Sequence, residues 1–250
     1  MLAYERFGHG DQKILALHGW MGDEHLLDPM RHALDQSAFE FVVPAYRGYG
    51  ASAHMRGVYD LDEIVSDLGE LIESLGWNEF LVIGHSMGGL IGQRLLALYP
   101  DRLIKLACVA SVPPSGAQFD DQTFSMFHAA ADNLEVRRGL LDFSTGHRLP
   151  SAWLDHVISQ TASAQPEAMQ GYLEMFARSD LTPLVTGIET PILVLAGGKE
   201  PMDVETVFKD TFAQAYPNAT FEMLAETGHC PIDEAPIYVA GAVQGFFRAQ

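Results

Sequence analysis

Gly84-His85-Ser86-Met87-Gly88-Gly89 follows the apolar run Phe80 to Ile83 and leads into Leu90, Ile91, Leu95, Leu96 and Leu98, which recur at helical spacing. The reading is strand, sharp turn, helix, with a serine on the turn. A nucleophile on a strained strand-to-helix corner needs small neighbours two positions to either side, and Gly84 and Gly88 stand there. Ser86 also opens a helix, so free backbone N–H groups, that of Met87 first, point toward any negative charge that develops beside it. That would be half of an oxyanion hole. A plain glycine-rich turn reads the same over these residues, so the surrounding chain has to decide.

Upstream, Leu2 to Phe7 reads as a short strand and Lys13 to Leu17 as a second, buried on both faces, running into His18-Gly19-Trp20-Met21-Gly22. A loop at the end of a buried central strand, followed by the helical run Glu24 to Leu34, is placed to offer a second backbone donor, the Trp20 N–H, to the same crevice. The alternative is an ordinary loop whose tryptophan packs as core. Phe39 to Val43 reads as the next strand, and Arg47-Gly48-Tyr49-Gly50-Ala51-Ser52 as a turn-rich loop with no phosphate-binding Gly-Lys-Ser/Thr after it. Asp60 to Leu75 keeps helical spacing, with Asp60 and Glu63 as an N-terminal capping pattern and Gly76 as its end. A strand at Leu103 to Ala110 follows the Ser86 helix. This alternation predicts an α/β fold with a mainly parallel sheet, helices on both faces, and a site at the carboxyl ends of the strands.

The alternation breaks at Val112-Pro113-Pro114-Ser115-Gly116. Helical patterns then run near Gln122 to Ala131, Leu134 to Phe143, Ser151 to Ala162 and Pro166 to Ala177 before the next strand, Ile192 to Ala196. The expected organisation is a core of residues 1–112 and 191–250 with an all-helical cap, 113–190, inserted over the strand ends. Apolar walls would come from among Phe119, Phe124, Met126, Phe127, Phe143, Trp153, Met169, Tyr172 and Phe176. After Ile192 to Ala196, Glu200 and Asp203 fall near strand tips. A helix Val204 to Ala215, a strand Thr220 to Leu224 and a helix from about Glu234 to Arg248 complete the chain. Of the 10 histidines, His229 alone lies on a loop after the last strand, where an imidazole could take the proton of Ser86. His18 and His85 belong to motif loops and suit structural hydrogen bonds; the others lack metal-ligand spacing.

Taken together, the chain resembles an α/β-hydrolase of the serine-nucleophile branch that carries a helical cap. The resemblance spans nearly the whole chain. It rests on His18-Gly19-Trp20, the Arg47 to Ser52 loop, the Ser86 turn, and Gly228-His229-Cys230-Pro231 followed by Glu234-Ala235-Pro236. It implies Ser86 as nucleophile, His229 as general base, and the backbone N–H groups of Trp20 and Met87 as the oxyanion hole. The family's acid lies three residues past the glycine that ends the penultimate strand, which points to Glu200 after Gly197, with Asp203 as runner-up. Glu stands where Asp is commoner, and Ala45 stands where such families commonly carry Asp before the Arg-Gly loop.

The implied activity is carboxylesterase-like: cleavage of an ester, thioester or lactone of a small, fairly apolar substrate through an acyl-enzyme, with no metal or cofactor. No carboxylate stands at position 86, which speaks against dehalogenase and epoxide-hydrolase chemistry. Carbon–carbon bond hydrolases of ring-cleavage products, lactonases and perhydrolases remain within the resemblance. A cofactor-free oxygenase on the same fold and a non-catalytic ligand-binding protein are the readings from other classes. A net charge of −18 argues against nucleic acid and anionic membranes as partners. With 4 Arg against 10 Asp or Glu, the cap is poorly suited to docking an acidic carrier protein. The apolar runs are too short to cross a bilayer, and the start of the chain lacks a secretory pattern, so a cytoplasmic protein is expected. Cys108 and Cys230 read as unpaired thiols. The sequence carries no signal for an oligomeric state.

Overall fold

The computed structural model describes residues 1–249. Strands β1 (Tyr4–Gly8), β2 (Gln12–Leu17), β3 (Phe39–Pro44), β4 (Phe80–His85), β5 (Leu103–Val109), β6 (Ile192–Gly197) and β7 (Ala219–Leu224) form one sheet in the order β1-β3-β2-β4-β5-β6-β7. β1 is antiparallel to β3, and every other pairing is parallel. Because successive side chains point to opposite faces, each central strand feeds two cores. Leu15, Leu17, Phe80 and Val82 enter the one built with the helices α1 (Leu61–Leu75) and α2 (Met87–Leu98). Ile14, Ala16, Leu81 and Ile83 enter the one closed by the last helix of the chain.

The chain leaves β2 for β3 on one side and returns to β4 on the other, so the order reverses between β2 and β4. Crevices open at such switch points, at the carboxyl ends of the strands. Leu17 is paired with Gly84, which sets the loops that follow, His18–Gly22 and His85–Ser86, side by side.

Asp60 caps α1 by accepting the Glu63 N–H at 2.8 Å, while Glu63 Oε2 accepts from the Tyr59 N–H at 2.8 Å, one residue before the position that a reciprocal capping box uses. Gly76 ends the helix at φ 68°. Asp60→Ala should lower stability by about 1 kcal/mol, measured by urea denaturation.

Between the paired strands β5 and β6 lies an excursion of helices: α3 (Asp121–Ala130), α4 (Leu134–Ser144), α5 (Ser151–Gln160), α6 (Pro166–Arg178) and α7 (Thr182–Val185). It reaches the loops at the strand ends. The Gln165 N–H donates to the Gly48 carbonyl at 2.8 Å, and the Trp20 indole N–H to the Met169 carbonyl at 2.8 Å. After β6 come α8 (Val204–Val207), a π-turn, α9 (Ala213–Ala215), then β7, α10 (Pro231–Glu234) and α11 (Pro236–Arg248).

Some local expectations change. Glu24 to Leu34 is a set of turns with one 3₁₀ helix at Asp28–Ala33. Asp23 bonds the His25 N–H, Glu24 turns inward to accept the Ala51 N–H at 2.9 Å, and Pro29 has no N–H to continue an α-helix. The helix expected over Val204 to Ala215 is interrupted by the π-turn Phe208–Phe212, and α7 was not anticipated.

Candidate active site

Ser86 sits at φ 52°, ψ −118°, a backbone conformation that costs a non-glycine residue about 1–3 kcal/mol. Three backbone bonds hold it there: its N–H donates to the Val109 carbonyl at 3.0 Å, and its carbonyl accepts from Gly89 at 3.0 Å and Val112 at 3.1 Å. Both flanking glycines are sterically required. A Cβ on Gly84 would lie 2.6 Å from the Gly88 oxygen, and one on Gly88 would lie 2.1 Å from the Leu17 oxygen. The strand–turn–helix anticipated from the sequence is therefore closed tightly by its neighbours.

From this corner a continuous line of hydrogen bonds runs across the sheet. Ser86 Oγ lies 3.0 Å from His229 Nε2, and His229 Nδ1 lies 2.9 Å from Glu200 Oε2. A carboxylate only accepts, so Nδ1 carries the proton toward Glu200 and Nε2 is left to accept from the serine hydroxyl. The Glu200 side chain is 5% exposed and its Oε1 also accepts the Gly197 N–H at 3.3 Å. Asp203 is elsewhere: it caps α8, accepting the Thr206 N–H at 3.2 Å and the Thr206 hydroxyl at 2.8 Å. Of the two carboxylates near the strand tips, Glu200 alone touches the imidazole.

Burial by itself would depress the His229 imidazole, but the charge of Glu200 and its hydrogen bond outweigh it, so the pKa is raised above 6.5. The raised value means that the His229–Glu200 pair stabilises the folded state fully at pH below the unfolded imidazole value and less as pH rises through the folded one. Accepting a proton from Ser86 requires the opposite, a neutral ring. The acid limb of a kcat/KM profile is therefore expected to lie above that of an ordinary imidazole, and a limb at or below it would show that Glu200 does not raise the ring.

The motif-loop histidines are neutral and structural. Burial, with the His229 charge second, lowers His85 to about 4, and its Nε2–H holds the His229 carbonyl at 2.8 Å. Burial lowers His18 to about 3; its Nδ1–H donates to the Gly19 carbonyl at 2.8 Å and its Nε2 accepts the Tyr46 N–H at 3.4 Å. Gly19 is pressed against the serine corner, since a Cβ there would come 3.1 Å from Ser86 Cβ. Among the described residues, neither the Trp20 nor the Met87 backbone N–H donates to a protein acceptor. Met87 directly follows Ser86, and Trp20 directly follows Gly19, which packs against the serine.

The aromatic side chains of the excursion divide. Phe119, Phe127 and Phe176 gather with Trp20, at ring separations of 5.5 Å for Trp20–Phe127 and 6.1 Å for Trp20–Phe176. Tyr172 joins Tyr46, Tyr49 and Tyr59 instead, while Met126 and Phe143 are exposed. Arg137 is the one buried arginine of the excursion. It donates to the Ala130, Ala131 and Thr161 carbonyls, tying together the ends of α3 and α5. Cys108 and Cys230 are buried and unpaired. Glu5, His25 and Asp28 bring potential ligand atoms within 4.8 Å of one another, but Arg31 already bonds Glu5 and approaches Asp28 to 3.8 Å, which makes the group an ion-pair network.

Two supports lie in motifs visible in the sequence, but their partners are set only by the fold. Arg47 is held bidentately by Asp67 of α1, at 2.6 and 2.8 Å. Glu234 accepts from the backbone on both sides of His229; it stands inside a quoted motif, but its role depends on a fold-back visible only in three dimensions.

Residues 14–242 match the Alpha/beta hydrolase family, and the chain belongs to that family. Serine hydrolase-like protein of Homo sapiens is 26% identical over 191 residues, covering 76% of this chain and 82% of that protein. The 3-oxoadipate enol-lactonase 2 of Acinetobacter baylyi is 26% identical over 258 residues, covering 99% of this chain and 93% of that one. The solved structure of an esterase from Exiguobacterium antarcticum aligns with a TM-score of 0.87 at 19% identity, over 99% of this chain and 96% of that one. Among the described residues no helix is long and apolar enough to cross a membrane.

Proposed function

We propose that this α/β-hydrolase is a carboxylesterase-like serine hydrolase that cleaves an ester, thioester or lactone of a small, fairly apolar substrate. The observation that carries the reading is the unbroken line from Ser86 Oγ through His229 to Glu200, at 3.0 and 2.9 Å. In this mechanism His229 Nε2 takes the hydroxyl proton as Ser86 Oγ attacks the carbonyl carbon. The Trp20 and Met87 N–H groups bind the oxyanion, and Glu200 keeps the proton on Nδ1 and stabilises the imidazolium. The imidazolium returns its proton to the leaving alkoxide, leaving an acyl-enzyme. Water activated by the same imidazole then releases the acid.

Residues 113–190 act in this reading as a lid whose Phe119, Phe127 and Phe176, packed with Trp20, supply an apolar wall. Within this class a lactone is supported by similarity to the enol-lactonase that aligns with nearly all of the chain; the acyl-enzyme chemistry is the same.

The test is labelling with a fluorophosphonate probe, with the adduct located by peptide mass spectrometry, beside turnover of nitrophenyl esters of increasing acyl length and a lactone panel. An adduct on Ser86 with turnover of short esters is expected. Absence of both in folded protein would move the assignment to the oxygenase or ligand-binding readings.

A further inference from the structure

The carboxylate of Glu234 brackets the loop that carries His229. Its Oε2 accepts the Gly228 N–H at 2.9 Å and its Oε1 accepts the Cys230 N–H at 3.1 Å, so one side chain grips the residues immediately before and after the histidine. That side chain is 3% exposed, and an anion so buried needs a partner of opposite charge. Arg148 provides it at Oε2. Arg148 does not belong to the sheet or its flanking helices; it stands between α4 and α5 of the excursion.

The same corner of the excursion touches the histidine directly. The His229 N–H donates to the carbonyl of Ser144, the last residue of α4, at 3.1 Å. Gly228 is packed so close to the next residue that a Cβ on it would come 2.6 Å from the Thr145 Cα. With His85 holding the His229 carbonyl, the backbone around the imidazole is pinned on every side, and two of the pins come from the excursion. The charged and titratable groups around this loop include Glu200 and His85 at the strand ends, Cys230 within it, Asp233 and Glu234 of α10, and from the excursion Arg148 and His156, the latter beside Asp233.

We propose that Glu234 and Arg148 are positioning residues that hold His229 within reach of both Ser86 and Glu200, so that the stretch from Ser144 to Arg148 works as part of the active site rather than only as cover for it. The proposal rests on the reading of His229 as the general base. Each hydrogen bond of the relay tolerates little displacement, and a shift of about 1 Å in a catalytic group lowers rates by about a hundredfold.

The test uses the full chain, labelled with ¹⁵N-histidine, as wild type, Glu234→Gln, Arg148→Gln and Arg148→Lys. The imidazole pKa of His229 is read by NMR, and the rate of fluorophosphonate labelling is measured alongside. Positioning predicts labelling slowed by about ten- to a hundredfold in Glu234→Gln and Arg148→Gln, with most of the rate restored in Arg148→Lys. It also predicts a lower imidazole pKa in both slowed variants, because a ring that slips from Glu200 keeps the depressing effect of burial and loses what raised it. A field effect alone has opposite signs: removing an anion lowers the value and removing a cation raises it. A raised pKa in Arg148→Gln, or unchanged labelling with only a lower Tm, overturns the proposal. Arg148→Gln leaves the buried Glu234 carboxylate without its cation, so the double variant Glu234→Gln/Arg148→Gln is measured beside it: there the two field effects nearly cancel, positioning still predicts slowed labelling and a lower imidazole pKa, and an unchanged value with unchanged labelling overturns the proposal. If wild-type protein is not labelled at all, the serine hydrolase reading fails separately, and the NMR comparison still tests the positioning.

Discussion

Ser86→Ala is expected to lower kcat/KM for a nitrophenyl ester by on the order of 10⁴- to 10⁶-fold while leaving the protein folded. The side chain lost is one oxygen, bonded to His229 Nε2 at 3.0 Å, and nothing else in the core leans on it. What remains of the proposed site, the Trp20 and Met87 N–H groups and the aromatic cluster on Trp20, offers no nucleophile. Ser86→Gly separates chemistry from strain. It should be equally inactive and yet more stable than Ser86→Ala by about 1 kcal/mol, since glycine accepts the φ of 52° that a residue with a Cβ resists. Thermal denaturation checks this. Retained turnover in Ser86→Ala would show that the serine is not acylated.

Glu200→Gln is expected to lower kcat by on the order of 10³- to 10⁴-fold, an effect of proton placement more than of lost charge. A glutamine at this position presents either an amide oxygen or an amide N–H₂ to His229 Nδ1. The Gly197 N–H, 3.3 Å from the other carboxylate oxygen, favours the amide oxygen there and turns the N–H₂ toward the ring. Nδ1 must then accept, the proton moves to Nε2, and Ser86 faces a donor instead of a base. The acid limb of the profile should also move down, because the charge that raised His229 is gone. Asp203→Asn supplies the comparison. Its carboxylate caps α8 and bonds Thr206, so kcat should stay within about twofold of wild type. A large loss in Asp203→Asn with none in Glu200→Gln would reverse the assignment of the acid.

The reach of the sequence is clearest where a pattern is local. The Ser86 turn was legible because steric need selects glycine at 84 and 88, and the structure puts the backbone of Leu17 and Gly88 where any Cβ there would collide. α1 was legible from cap to cap, since Asp60, the helical apolar spacing and Gly76 each act on their own neighbourhood. Local signals failed where distant parts of the chain compete for the same residues. Glu24 has a sound helical context, but its carboxylate is drawn inward to the Ala51 N–H. The choice between Glu200 and Asp203 is similar: three residues apart, one folds under the imidazole and the other stays in solvent as a helix cap.

By itself the sequence determined the alternating α/β order, the serine corner with its glycines, and the candidate histidine, because backbone sterics and hydrophobic period act over a few residues and leave their mark in order along the chain. Only the tertiary structure decided which carboxylate reaches His229, which aromatic side chains gather on Trp20, and that Glu234 and Arg148 meet around the histidine loop. Those outcomes depend on side chains far apart in sequence, such as Ser86 and His229, which packing the sheet and the excursion brings within hydrogen-bonding distance and which no local pattern encodes.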